Sequence, residues 1–169
     1  MKLNCKIRLL VISCLLAAIG NAQAQKIFYN VRDFGARGDG TTLDTDPINK
    51  AITSAAAAGG GTVYFPSGKY LTYSIRLQSN ISLFIDQGAI ILGAKEENGL
   101  GYDDPEPNSP YDAYQDFGHN HWKNSLIWGI GLHDISIVGQ GLIWGEGLTR
   151  STHQPKGGGN KAIGLKNCY

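Results

Sequence analysis

Cysteine is scarce in this 169-residue chain, and two of its three cysteines, Cys5 and Cys14, fall within the first 24 residues. Removing that stretch leaves Cys168 alone, which excludes an internal disulfide framework and a cysteine-based zinc cluster. Stability therefore has to come from packing. Long apolar runs are also missing: the longest, Leu9 to Gly20, covers twelve positions, short of the roughly 18 that a membrane-spanning helix needs. Neither sign of charge dominates, with 15 Lys+Arg against 14 Asp+Glu. Without Lys2, Lys6 and Arg8 the balance is 12 against 14, near −2, so a nucleic-acid partner is not expected. A phosphate loop is lacking as well, because Gly68-Lys69 has Val63 where the first glycine is needed and Tyr70 where a hydroxyl should follow.

What the first 24 residues do contain is a basic start, an apolar centre "LLVISCLLAAIG" and the small-x-small site Ala22-Gln23-Ala24. That pattern reads as a cleaved secretory signal with Gln25 as the first mature residue, so export to a periplasm or beyond is expected and no membrane attachment afterwards. A lipoprotein is the alternative, since Val11-Ile12-Ser13 precedes Cys14 in the style of an acylation box.

Glycine is abundant, 23 of 169 residues, about twice the ordinary ~7 % usage. The glycines follow no G-X-Y period and instead separate short apolar runs, the mark of many short strands joined by tight turns. Ile27, Phe28, Tyr29 and Val31 suit a first strand. Asp46 followed by Pro47 reads as a helix start with the carboxylate as N-cap, and Ile48, Ala51, Ile52 and Ala55 then form one apolar face through Ala58. From Thr62 onward come strand-sized runs: "TVYF", "KYLTYSIRL", "ISLFI", "AIILG", "SLIWG", "ISIVG", "LIWG" and "KAIGL". Runs as continuous as "AIILG" suit stacked parallel strands better than an antiparallel meander.

An internal repeat supports stacking. "ISLFIDQGAIILG" from Ile81 resembles "ISIVGQGLIWG" from Ile135, an offset of 54 residues. Between them lies a segment rich in Pro, Asn, Asp and Tyr. Treating residues 94–123 as an inserted loop leaves a period of about 24, one turn of a solenoid, and a second Gly-rich loop from Gly147 to Gly159 leaves about 23. The expectation is an all-β, right-handed parallel β-helix: a capping segment over 25–61 with a short helix, then coils over 62–169, with variable loops leaving one face. Gly59 to Gly61 would turn the chain from cap into coil, and Pro66-Ser67-Gly68 would form a corner with Lys69 facing solvent.

"FGARGDGTTLDTDPINKAI" followed by "AGGGTVYFPSGKYLT" resembles the amino-terminal signature of the pectate-lyase-like β-helix superfamily. "ISLFIDQGAIILGA", "NSLIWG" and "ISIVGQGLIWGEG" are similar to glycoside hydrolase family 28, the polygalacturonases and rhamnogalacturonases. The resemblance implies inverting, metal-free hydrolysis of α-galacturonosidic bonds in pectin by paired carboxylic groups, with no cofactor and a polysaccharide substrate. It implies catalytic groups in Asn-Thr-Asp, Asp-Asp and Gly-His-Gly motifs and an Arg-Ile-Lys substrate clamp. None is carried over. The chain has no Asn-Thr-Asp and no Arg-x-Lys, Gly118-His119-Asn120 lacks the second glycine, and Asp103-Asp104 lies in the Pro-rich insertion, where it reads as a solvated pair. The expectation is thus a monomeric amino-terminal part of such a hydrolase, inactive alone and exposing an open terminal coil. A lyase or other depolymerase on the same scaffold, or a non-catalytic carbohydrate-binding solenoid, are the alternatives.

Binding candidates concentrate in "YDAYQDFGHNHWKN", where Tyr111, Tyr114, His119, His121 and Trp122 could stack on sugar rings or instead pin the loop to the coil. His119 and His121 with Asp116 do not read as a metal site, because histidines at i, i+2 point to opposite faces of a strand. "DGTTLDTD" from Asp39 lacks the residue order of a calcium loop and reads as turn and cap chemistry.

Overall fold

The computed structural model describes residues 28–110, 120–149 and 157–169. The leader expected over residues 1–24 lies outside them. The described strands run β1 Phe28–Asn30, β2 Asp39–Leu43, β3 Gly61–Phe65, β4 Gly68–Thr72, β5 Ile75–Arg76, β6 Ile81–Ile85, β7 Ala89–Gly93, β8 Ser125–Ile130, β9 Ser136–Gly139, β10 Leu142–Trp144 and β11 Lys161–Lys166, with one helix, α1, over Thr45–Ala57. All named pairings are parallel, and they form three sheets: β1-β3-β6-β9, β10-β7-β4-β2 and β11-β8-β5. From β3 onward successive strands visit the three sheets in turn, so the chain coils as the expected right-handed parallel β-helix, the hand nearly all parallel crossovers take.

The coil register places like residues above one another. Leu83 pairs with Val63 and Ile137, Ile91 with Tyr70 and Ile143, and Ile127 with Ile75 and Ile163. Val63, Leu83, Tyr70, Ile91, Ile75 and Ile127 are fully buried, each side chain seated on its counterpart one coil away. The pairing Leu83 to Ile137 reproduces the 54-residue offset. The uninterrupted coil is shorter than expected, however: Val63 to Leu83 is 20 residues and Tyr70 to Ile91 is 21, not about 24. The difference arises because the first coil turns each corner with as little chain as possible, Pro66–Ser67 at one and Tyr73–Ser74 at the next. The apolar run of β7 also has a different cause. Ala89, Ile91 and Gly93 are buried, whereas Ile90 and Leu92 are half-covered on the outer face, in register with Leu142 and Trp144 on one side and with Lys69 and Leu71 on the other.

Helix α1 covers the first coil with Ile48, Ala51, Ile52 and Ala55, all fully buried. It starts two residues earlier than expected, with Asp46 inside the first turn and Asp44 at the N-cap position. Asp44 holds that position without a side-chain capping bond: its carboxylate accepts N–H bonds from Arg37 at 2.7 Å and Gly38 at 2.9 Å, tying the entry loop to the cap. Asp46 still places its negative charge where the helix dipole favours it. Asp39 likewise serves the turn, accepting bonds from the N–H and hydroxyl groups of Thr41 and Thr42, and the Thr42 and Thr41 N–H bonds hold its carboxyl well below the usual range.

Past α1, Gly59, Gly60 and Gly61 all adopt positive φ, and Gly60 donates its N–H to the Ala55 carbonyl at 2.9 Å. At the opposite end of the stack, Val138, Leu142, Trp144, Ile163 and Leu165 are exposed, a strand edge without a covering helix among the described residues. A Cβ on Gly60 would lie 2.6 Å from the Asn80 carbonyl oxygen, at a φ of +121° that side chains rarely adopt. Gly60→Ala is therefore expected to destabilise the protein by about 2–3 kcal/mol, read as a melting temperature lower by roughly 5–10 °C in a thermal scan.

Candidate functional site

One corner of the coil carries both long insertions. Between the second and third sheets the first coil spends only Tyr73 and Ser74; the second coil spends residues 94–124 at the same corner and the third spends 145–160. Tyr102 braces the two. Its hydroxyl donates to the Ala94 carbonyl at 2.8 Å, its ring packs edge-on against Tyr73 at 5.4 Å, and its N–H donates to the Gly157 carbonyl at 2.7 Å. Gly159 leaves the ring its space, since a Cβ there would come within 2.6 Å of it. Burial pushes the Tyr102 phenol far above its ordinary value, so it remains a neutral donor. Beside it opens a cavity of about 430 Å³ lined by Gly99, Leu100, Gly101, Tyr102, Asp103, Asp104 and Gly157.

Asp103 is not solvated as the sequence suggested. Arg76 on β5 donates to both its oxygens, at 2.8 and 2.6 Å, and the indole N–H of Trp128 on β8 donates at 2.8 Å. The fork geometry suits guanidinium and carboxylate, and the hydrogen bonds to Asp103 raise the Arg76 pKa further. Asp104 alone of the pair stands exposed. Arg76 and Trp128 are in-register neighbours on the third sheet, so the coil itself builds a two-donor clamp for the insertion. No sequence-local signal marks this, because the partners lie 27 and 25 residues from Asp103. The register would have shown it.

A second clamp closes the far end of the insertion. Glu106 accepts N–H bonds from Trp122 at 3.1 Å and Lys123 at 3.0 Å, and its carbonyl oxygen meets Nδ1 of His121 at 2.8 Å. Burial tends to raise the Glu106 carboxyl, but the bonds from Lys123 and Trp122 outweigh it and hold the group below its usual range. Of the five binding candidates, Tyr111, Tyr114 and His119 lie outside the described residues. His121 is 8 % exposed and engaged by Glu106, which gives it the anchoring role. Trp122 is half-buried at the surface, with the Lys166 ammonium 4.1 Å from its ring centroid. Sequence reading missed Trp128, Lys123 and Lys166, which join it on the third sheet; Lys123 lies 5.5 Å from the Trp128 ring.

Asp103 has its oxygens occupied by three donors and Glu106 by backbone N–H groups, so neither is placed as a free acid or base facing a partner.

Residues 28–126 match the family model for rhamnogalacturonase A/epimerase, pectate lyase-like proteins. The chain belongs to that family. It is 36% identical over 132 residues to the exo-poly-alpha-D-galacturonosidase of Dickeya chrysanthemi, covering 72% of its own length and 20% of the relative's. It is 53% identical over 66 residues to alginate lyase 7 of Azotobacter vinelandii, covering 39% of itself and 8% of that protein. The structure of the Yersinia enterocolitica family 28 exopolygalacturonase superposes with a TM-score of 0.57 at 32% identity, over 72% of this chain and 21% of the other. The chain thus spans about a fifth or less of the length of these relatives.

The Glu106 clamp has a pH signature. A carboxyl depressed on folding adds stability above its ordinary value near 4.5 and loses it as pH falls through the lower folded value. Glu106→Gln should accordingly lower the melting temperature at pH 6, and the difference from the unsubstituted protein should narrow progressively as pH falls below 4.5, measured by thermal scans across that range.

Proposed function

We propose that this chain forms the capped amino-terminal scaffold of an exported pectin-degrading glycoside hydrolase, one that cleaves α-galacturonosidic bonds with inversion. The observation that carries the reading is the extent of the likeness to the Dickeya exo-poly-alpha-D-galacturonosidase, 132 residues that must include coils as well as cap. The alginate lyase match is closer but half as long, 66 residues. The cap and first coil are scaffold, and what a protein cuts is decided by side chains on later coils and loops. That is why the longer match weighs more. Export rests on the basic, apolar and small-x-small pattern of residues 1–24.

A second reading keeps the scaffold and changes the chemistry. The identity of 53% to alginate lyase 7 favours lyase or epimerase action on a different uronate polymer. Galacturonate and the uronates of alginate share a ring carboxylate, so both readings call for a surface that accepts an anionic sugar.

An assay on the protein as the cell makes it separates the two. Incubated with polygalacturonate it should release new reducing ends and no ultraviolet-absorbing unsaturated product, while the isolated 169-residue chain, which contains no Asn-Thr-Asp motif, should release none. Unsaturated products, or change in alginate without pectate cleavage, would overturn the hydrolase reading.

A further inference from the structure

On the third sheet, beside the insertion corner, two half-buried indoles and two lysines lie together. Lys166 of β11 sits over Trp122, and Lys123, next in chain to Trp122 and just ahead of β8, sits near Trp128 of β8. The nearby carboxylates are already taken. Asp103 accepts from Arg76 and from Trp128, and Glu106 accepts from the backbone of Trp122 and Lys123. Among the described residues neither Lys123 nor Lys166 has a carboxylate partner. Among the described residues the two ammonium groups therefore rest against aromatic rings and pair with no carboxylate.

We infer that this face, Trp122, Lys123, Trp128 and Lys166, is a docking site for uronate units of an anionic polysaccharide. The inference rests on the proposed action on a uronate polymer and assigns part of that polymer's binding to this chain. Charge complementarity selects the occupant. A lysine resting on an indole has a weaker partner than the charge-assisted hydrogen bond a carboxylate offers. An arriving uronate can draw the ammonium off the ring, which frees the ring to stack on the apolar face of the sugar. A neutral sugar offers the ring contact without the exchange, and a small anion offers the exchange without the stacking. Only a carboxylated sugar offers both.

The clamp at Asp103 holds the site in place. By fixing Trp128 through its N–H, it sets that indole's orientation, and Glu106 fixes the backbone that carries Trp122 and Lys123. Asp103 also lines the 430 Å³ cavity, so the face and the cavity share a wall and a longer chain can extend from one toward the other.

Affinity electrophoresis of the purified full chain, through gels holding polygalacturonate, polymannuronate or neutral galactan, tests the inference. Retardation by polygalacturonate and not by galactan is expected, weakening with added salt. Lys123→Gln with Lys166→Gln should weaken it about tenfold at an unchanged melting temperature, as the loss of two charge contacts requires. Trp122→Ala should weaken it further, and Trp122→Phe should restore most of it. Equal retardation by galactan, or a double lysine variant that binds as tightly as the unsubstituted chain, would overturn the docking site. Lysine-dependent retardation by polymannuronate alone would uphold the site and count against the pectic reading. Pectate hydrolysis by the whole protein, with no retardation of this chain by any of the three polymers, would do the reverse.

Discussion

A strand in this solenoid has its backbone bonds completed only by the strands one coil above and one coil below, and its inward side chain completed only by its counterparts there. That mutual dependence is why Leu83 must lie between Val63 and Ile137, and Ile127 between Ile75 and Ile163. A slip by one residue would turn every inward side chain out to solvent. It also explains the ends. Beneath the first coil β1 and β2 extend only the first and second sheets, so Ile48, Ala51, Ile52 and Ala55 of α1 cover the interior that no third strand closes, while Val138, Leu142, Ile163 and Leu165 are exposed at the other end of the described stack.

In-register stacking constrains the strands and leaves the corners free. Inserting residues 94–124 at the corner served in the first coil by Tyr73 and Ser74 moves no strand, since Ile75 and Ile127 still pair directly. Corners of one coil lie above corners of the next, so the two insertions meet and brace each other through Tyr102, Gly157 and Gly159. The coil then supplies fixed side chains at the rim of the insertions: Arg76 and Trp128 as a clamp, Lys123, Lys166 and Trp122 as a surface. Side chains at that rim are therefore positioned by the register of the coil.

The coil architecture was legible because it is periodic. The Ile-Ser and Gln-Gly echoes at Ile81 and Ile135 carry the register directly, and the pair Ser82 and Ser136 does lie side by side, hydroxyl to hydroxyl at 2.8 Å. The helix face was legible for the same reason. The helix start was read two residues late because an aspartate ahead of a proline looks like a cap, while the bonds that Asp44 accepts from Arg37 and Gly38 depend on the folded entry loop. The site was the least legible part. Aromatic density drew attention to the insertion, yet His121 proved to be an anchor, and the surface residues Trp128 and Lys166 lie in strands whose sequence signal is dominated by packing. Their meeting follows from the register and from no local pattern.

The claim on which the rest stands is that the 31-residue insertion leaves the coils in register. Ser82→Cys with Ser136→Cys measures it directly, since these outward positions pair across β6 and β9 at a spacing that a disulfide can span. The account predicts that this pair oxidises readily to a single intramolecular disulfide, while Ser82→Cys with Val138→Cys, two residues out of register on the same face, stays reduced. Equal oxidation of both pairs, or of neither, would contradict it.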